Sequence, residues 1–297
     1  MRVPGGRRLQ PMKPRLLLCT CLALCWALPL LLVGPAPAQT IAIPADAESA
    51  LDALNSSPRH GEWIDIGEGR SSTNRWGDTI RSWVVYPERA TRAPVVVVIH
   101  EIFGLTDWIR AVADQFAAEG FIAIAPDLLS GHGADGGGTP TDRQQAVALV
   151  RSLRVEDTTR RLSAVARYGI SLPASNGRFG GVGFCWGGST SFNFAANEEN
   201  LDAAVVYYGS SPSRTMLGRV EAPVLGLYGG DDARVNATIP DAMREMRRLG
   251  KFYEPHQFAG AGHGFLRQQS ARDGANMSAA KAAWAQTIEF FRQYLEN

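Results

Sequence analysis

The sequence is poor in cysteine and shows no useful surplus of charge. Its 297 residues include four cysteines, and three of these, Cys19, Cys21 and Cys25, fall in the opening 25 residues. Lysine and arginine number 30 against 29 acidic residues, but Arg2, Arg7, Arg8, Lys13 and Arg15 precede any acidic residue. From Gln39 onward 25 basic residues face 29 acidic ones. No basic field remains to gather phosphates, which excludes nucleic acid as an expected partner. At 45% hydrophobic and 9% aromatic residues, the composition also excludes a disordered chain. No linker, charge run or internal repeat divides the part after Gln39, so a single large domain is expected there.

The early basic residues lead into an apolar run from Leu16 to Val33, broken only by Thr20 and Pro29, and then into Ala36-Pro37-Ala38. Small residues at these positions mark a cleavage site, so residues 1–38 read as an export signal. The alternative is an uncleaved anchor, because 18 residues is near the lower limit for spanning a bilayer. Arg7-Arg8 leaves open a twin-arginine route. The expected mature protein is periplasmic or secreted, without stable membrane association. Cys185 is its sole thiol, so no intramolecular disulfide is possible. A lone thiol in an oxidising compartment is a hazard unless it is buried or has work to do.

Residues 39–60 form a lead-in without strong periodicity, and 61–297 form the expected domain. Two β-like stretches, His60 to Ile66 and Thr79 to Tyr86, flank turn residues from Gly67 to Gly77 and suggest an antiparallel pair at a sheet edge. Pro94 to Ile99 then runs without alternation, as a strand covered on both faces does. Further strands are expected at Phe121 to Ala125, Arg178 to Phe184, Ala203 to Tyr208, Pro223 to Tyr228 and Phe252 to Phe258. Helical patterns lie at Asp107 to Ala118, Arg143 to Tyr168, Trp186 to Asn197, Pro240 to Leu249 and Ala279 to Leu295. Strands alternating with helices predict an α/β fold with a mostly parallel, doubly wound sheet and helices on both faces. The Gly-rich stretch from Gly131 to Gly138 reads as a surface loop, a place where lids are built in such folds.

Gly183-Phe184-Cys185-Trp186-Gly187-Gly188 stands where a buried strand turns into a helix, the G-x-C-x-G form of a nucleophile elbow. Glycines are needed there because side chains would collide with the adjacent strand and helix. The first N–H groups of the following helix favour both a thiolate and a developing oxyanion. Taken alone, the pattern also fits a buried structural cysteine. Asp231-Asp232 follows a later strand and His263 follows the last, completing the nucleophile, acid, base order of α/β-hydrolases. Asp232 stands three residues before Val235, where the triad acid is usual; Asp231 is the alternative. In this fold the amide after the nucleophile and one from the first βα loop form the oxyanion hole, which nominates Trp186 and Ile102. Glu101, at the end of a central strand, is costly to bury without a partner. It is expected near the Cys185 thiol, or as the ion-pair partner of an arginine such as Arg267.

These residues, together with Ala125-Pro126-Asp127-Leu128, Tyr207-Tyr208-Gly209 and Ala261-Gly262-His263-Gly264-Phe265, resemble the dienelactone hydrolase family of α/β-hydrolases, from roughly Ile64 to Leu295. The resemblance implies a Cys185, Asp232, His263 triad acting on small esters or lactones, and no metal or organic cofactor. It implies that Glu101 contacts the cysteine and helps to switch thiol to thiolate when substrate binds. It also puts Arg267, Tyr207, Tyr208 and Phe265 on the substrate side. Members that cleave dienelactone hold its carboxylate with two arginines; Arg267 matches one, and the other falls on Gly131. Neutral substrates are therefore expected to react about as well as carboxylated ones, with Arg214 or Arg234 as possible substitutes for the missing arginine. A monomer is expected. Thioester or amide hydrolysis, and non-catalytic binding on a hydrolase scaffold, are the alternative functions.

Overall fold

A run of β-branched residues without alternation can satisfy its backbone and bury both rows of side chains only inside a sheet covered on both faces. The computed structural model, which describes residues 41–68 and 79–296, is built around such a strand. The expected export segment and residues 69–77 of the expected turn lie outside the described residues. In chain order the elements are α1 (Ala50–Ser56), β1 (Gly61–Gly67), β2 (Thr79–Val85), β3 (Ala93–Ile99), α2 (Asp107–Ala118), β4 (Ile122–Pro126), α3 (Arg143–Ser152), α4 (Val155–Ser171) and β5 (Ser175–Phe184). They continue with α5 (Trp186–Ala195), β6 (Ala203–Tyr207), α6 (Arg214–Leu217), β7 (Val224–Gly229), α7 (Ala233–Asn236), α8 (Ile239–Arg248), β8 (Tyr253–Phe258) and α9 (Ala275–Leu295).

The eight strands form one sheet in the order β1-β2-β4-β3-β5-β6-β7-β8. The pairs β1/β2 and β2/β4 are antiparallel and the others parallel, so the expected hairpin pair does sit at an edge of a doubly wound sheet. Every residue of β3 is buried. Val96 and Val98 enter a core under α2 and α9 with Trp108, Phe116, Trp284 and Phe291. Val95, Val97 and Ile99 enter the opposite core with Leu162 of α4, Phe192 of α5 and Met246 of α8.

Two expectations are refined. The lead-in carries a helix, α1, which lies against α2. Just after it, Ser57 Oγ donates to Asp114 Oδ1 at 2.6 Å and Arg59 forms an ion pair with the same carboxylate. A seven-residue helix fastened by tertiary contacts leaves little periodicity to read. The stretch from Arg143 to Tyr168 is two helices rather than one, because Leu153 is extended (φ −66°, ψ 133°). That break frees α3 to take its own direction.

The Gly-rich loop is tied down at its far end by Asp127, which accepts from Thr139 N at 2.7 Å and Thr139 Oγ1 at 2.8 Å. Thr139 Oγ1 in turn accepts from Leu105 N at 2.9 Å, joining this loop to the one after β3. Among the described residues no helix is long and apolar enough to cross a membrane.

A buried ion pair fixes the chain after β4. Arg161 Nε meets Glu68 Oε1 at 2.6 Å, with side chains 2% and 0% exposed. The same guanidinium donates to the carbonyls of Leu128 and Ser130 at 2.8 and 2.9 Å. Removing one partner of such a pair leaves an uncompensated buried charge, so Glu68→Ala is expected to cost about 3–5 kcal/mol. Urea unfolding measures this; a loss below about 1 kcal/mol would show that the two carbonyls alone satisfy Arg161.

Candidate active site

Cys185 occupies the single residue between β5 and α5, and no ordinary L-residue conformation joins them. Its φ is +58° and ψ −114°, a strained left-handed geometry. A Cβ on Gly183 would overlap the Gly187 carbonyl oxygen, and one on Gly187 would overlap the backbone oxygens of Ile99 and His100. Both glycines are thus required by the close approach of α5 to the strand ends. Cys185 N donates to Tyr207 O at 3.1 Å, and Ser189 N to Cys185 O at 3.2 Å, anchoring the turn on both sides.

The thiol's electrostatics pull in opposite directions. Burial, and then the negative charge of Glu101, push the Cys185 pKa up to about 11. The polar backbone N–H groups of Trp186 and Ile102, and the charge of Arg234, act against that rise. These two amides are the pair nominated from the sequence.

Asp232 and His263 are brought together by the ends of β7 and β8. His263 Nδ1 lies 2.5 Å from Asp232 Oδ2, so Nδ1–H donates to the carboxylate. Asp232 Oδ1 also accepts from Val235 N at 3.4 Å at the head of α7. Asp231 turns away to an exposed ion pair with Arg272 at 2.9 Å. Among the described residues no hydrogen bond joins Cys185 to His263; the Tyr208 ring packs on the imidazole at 5.1 Å and lines the same cavity as the thiol.

Glu101 is buried and meets Arg267 Nε at 2.8 Å. Burial pushes its pKa up to about 7, although Arg267 and Arg143 pull it down. Glu101 thus pairs with Arg267, and its negative charge acts on the thiol as well. Arg143 and Arg267 also lie over the Phe103 ring, at 3.7 and 5.4 Å from its centre.

The cavity at the thiol, of about 500 Å³, is lined by Ile102, Arg151, Cys185, Trp186, Ser189, Tyr208, Ser210 and Arg234. A second cavity of about 520 Å³ includes Glu101, Phe103, Arg143 and Arg267. Tyr208 meets its expectation as a wall residue, whereas Tyr207 and Phe265 do not. Tyr207 is fully buried, its hydroxyl 2.7 Å from Thr287 Oγ1, and Phe265 is buried against Tyr208 and Phe258. Tyr207 is the last residue of β6 and fills the core under α9, whereas Tyr208, one residue past the strand at φ +39°, is also buried there but turns its ring to the thiol cavity. Arg214 is spent on Glu245 at 3.8 Å. Arg151 was missed because it ends α3, whose separate direction the sequence hid. Arg151 and Arg234 have no ion-pair partner among the described residues. Two guanidiniums therefore stand at the cavity even though Gly131 supplies none.

An α/β-hydrolase is defined by this sheet, by a nucleophile-type residue in a strained strand-to-helix turn, and by a carboxylate and a histidine after later strands. Comparison with known proteins narrows the class. Residues 80–295 match the model of the dienelactone hydrolase family. A carboxymethylenebutenolidase of Pseudomonas putida is 32% identical over 230 residues, covering 76% of this chain and 96% of that one. Among solved structures, a dienelactone hydrolase-like promiscuous phosphotriesterase from metagenomic libraries aligns with a TM-score of 0.66 at 23% identity, covering 80% of this chain and 99% of that one. The dienelactone hydrolase of Anabaena variabilis aligns with a TM-score of 0.59 at 21% identity, covering 80% and 99%. The chain belongs to the dienelactone hydrolase family and is a dienelactone hydrolase-like hydrolase.

A thiol of pKa about 11 is ionised to about one part in ten thousand at pH 7. Alkylation of the resting enzyme by iodoacetamide is therefore expected to be slow at pH 7 and to rise about tenfold per pH unit towards pH 10. Glu101 is mostly ionised by pH 8, so Glu101→Gln removes a like charge, lowers the thiol pKa and speeds alkylation there, while slowing hydrolysis. An unchanged alkylation profile together with unchanged hydrolysis would leave Glu101 as a structural partner of Arg267 alone.

Proposed function

We propose that Cys185, His263 and Asp232 act as a triad that hydrolyses small ester or lactone substrates through an acyl-cysteine intermediate, in a protein exported to the periplasm or secreted. The observation that carries this reading is Cys185 held in a strained strand-to-helix turn, where the backbone N–H groups of Trp186 and Ile102 favour the charged form of its sulfur. A structural cysteine needs neither the strain nor the donors.

In the proposed reaction the Cys185 thiol gives its proton to His263 Nε2 and the resulting thiolate adds to the substrate carbonyl carbon, so that a C–S bond forms as the C=O π bond opens to a tetrahedral oxyanion. The N–H groups of Ile102 and Trp186 hold that oxygen. The C–O bond to the leaving alcohol breaks as His263 Nε2 gives it a proton; in a lactone the alcohol stays tethered to the acyl group. Asp232 keeps Nδ1 protonated, so Nε2 is the nitrogen that faces the reaction. Water then attacks the thioester carbonyl as His263 Nε2 takes its proton; the C–S bond breaks, the proton passes to the Cys185 sulfur and the acid leaves. The high resting thiol pKa keeps an exported thiol unreactive until a substrate alters the charges around it.

Arg151 and Arg234 favour substrates that carry a carboxylate, in place of the parity expected from Gly131. The family relationship and the name of the Pseudomonas putida relative agree with an ester or lactone as the bond cleaved.

Cys185→Ala is expected to abolish turnover, since removing a triad member costs several powers of ten in rate, on the order of 10⁴. Intact mass of the exported protein, expected to begin at Gln39, should increase by one acyl group with an activated ester in the wild type and not in the variant. Residual activity above about a tenth of wild type would refute the nucleophile, and absence of the acyl adduct would favour a binding protein. For charge, a matched pair of esters differing only in a carboxylate is compared by kcat/KM. The acid is expected to be preferred by about tenfold or more, and Arg234→Ala to remove most of that preference, the exposure of the guanidinium limiting its worth. Equal rates in the wild type would return the specificity to the parity expected from the sequence.

A further inference from the structure

We propose that His100 is a positioning residue that aims both donors of the oxyanion hole. The proposal rests on the triad described above. His100 is the first residue past β3 and is fully buried. Its Nδ1 lies 2.7 Å from the backbone oxygen of Glu101. Two lone pairs at that distance would repel, so Nδ1 carries the hydrogen and donates it. Burial holds the ring's pKa below its ordinary value, which keeps the imidazole neutral and leaves Nε2 with a bare lone pair. No partner for Nε2 exists among the described residues.

The Glu101 carbonyl and the Ile102 N–H belong to one planar trans peptide and point in opposite directions. Fixing the oxygen therefore fixes the line along which Ile102 N–H meets the Cys185 sulfur. A second donor, Gly104 N, reaches the same oxygen at 3.2 Å, the longer of the two bonds. The flat face of the His100 ring stacks on Trp186, with centres 5.5 Å apart and planes 19° from parallel. Trp186 supplies the other amide. One rigid ring thus braces both halves of the hole, one through a hydrogen bond and the other through packing.

The bare Nε2 strengthens the inference. A fully buried ring nitrogen without a partner is a liability that phenylalanine would avoid while filling the same volume. Local rules of this kind are broken where function needs the group, and the group needed here is Nδ1–H.

The test compares His100→Phe, which keeps a ring on Trp186 and loses the donor, with His100→Gln, whose side-chain amide can reach the Glu101 oxygen. His100→Phe is expected to lower kcat by about tenfold to a hundredfold, less than complete loss of an oxyanion donor, with KM within about threefold. Ile102 N–H also supports the thiolate, so the pH midpoint for iodoacetamide alkylation of Cys185 should rise by about half a unit. His100→Gln is expected to recover most of both losses. The proposal is overturned if His100→Phe keeps kcat within about twofold of wild type, if His100→Gln does no better than His100→Phe, or if the alkylation midpoint does not move. Should His100→Phe fail to fold, His100→Asn, too short to reach the carbonyl, replaces it in the same comparison. Cys185→Ala serves as the control: if it retains activity, the triad reading fails, whereas an inactive Cys185→Ala beside a fully active His100→Phe sinks only the role of His100.

Discussion

A left-handed backbone at a residue with a side chain costs on the order of 1–3 kcal/mol, and here the whole C-terminal edge of the sheet is arranged to hold one. Cys185 keeps φ +58° because β5 pairs on both sides, with β3 up to Gly183 and with β6 up to Phe184. Its own amide then continues that pairing to Tyr207 O, and its carbonyl accepts from Ser189 as α5 begins. A side chain at Gly183 or Gly187 would push α5 off the strand ends, and with it the amide of Trp186. The loop after β3 approaches the same point because β3 is the direct neighbour of β5. Position in the sheet therefore brings Ile102 N–H to the sulfur, with no need for a long-range side-chain contact.

Around that turn the charges are balanced against burial. Glu101 is buried with the charges of Arg267 and Arg143 acting on it, and desolvation still outweighs both cations. Its negative charge adds to the desolvation of the thiol, while the amides of Ile102 and Trp186 and the charge of Arg234 oppose it. A group that brings a negative charge of its own to these arginines would compete with Glu101 for them. The same arrangement that keeps the thiol protonated at rest is thus sensitive to what enters the cavities beside it.

Much of the frame was legible because burial on two faces leaves a plain mark. The unbroken run in β3, the strand-to-helix glycines about Cys185 and the acid and histidine after β7 and β8 are local in sequence. Asp232 could be preferred to Asp231 from its spacing to Val235, and the ion pair of Asp231 with Arg272 agrees with that choice. Tyr207 and Phe265 were misplaced because adjacency in a motif carries no direction. Both tyrosines pack in the core under α9, and only Tyr208, past the end of β6 at φ +39°, also reaches the cavity wall. Arg151 was invisible for a different reason: two extended residues, Leu153 and Arg154, separate α3 from α4 without a proline or glycine to mark them.

The sequence by itself determined the class of fold, the placement of Cys185, Asp232 and His263 just past β5, β7 and β8, and the backbone amides next to Cys185 and in the first loop, because each depends on short-range periodicity or on glycine at a fixed place. Tertiary structure alone decided which charges meet. Glu101 pairs with Arg267 across 166 positions of chain, Arg151 and Arg234 converge on one cavity from α3 and α7, and His100 stacks on Trp186 across 86. Such contacts arise where separate strand ends and helices are brought side by side by packing, and nothing in the local pattern of either partner encodes the other.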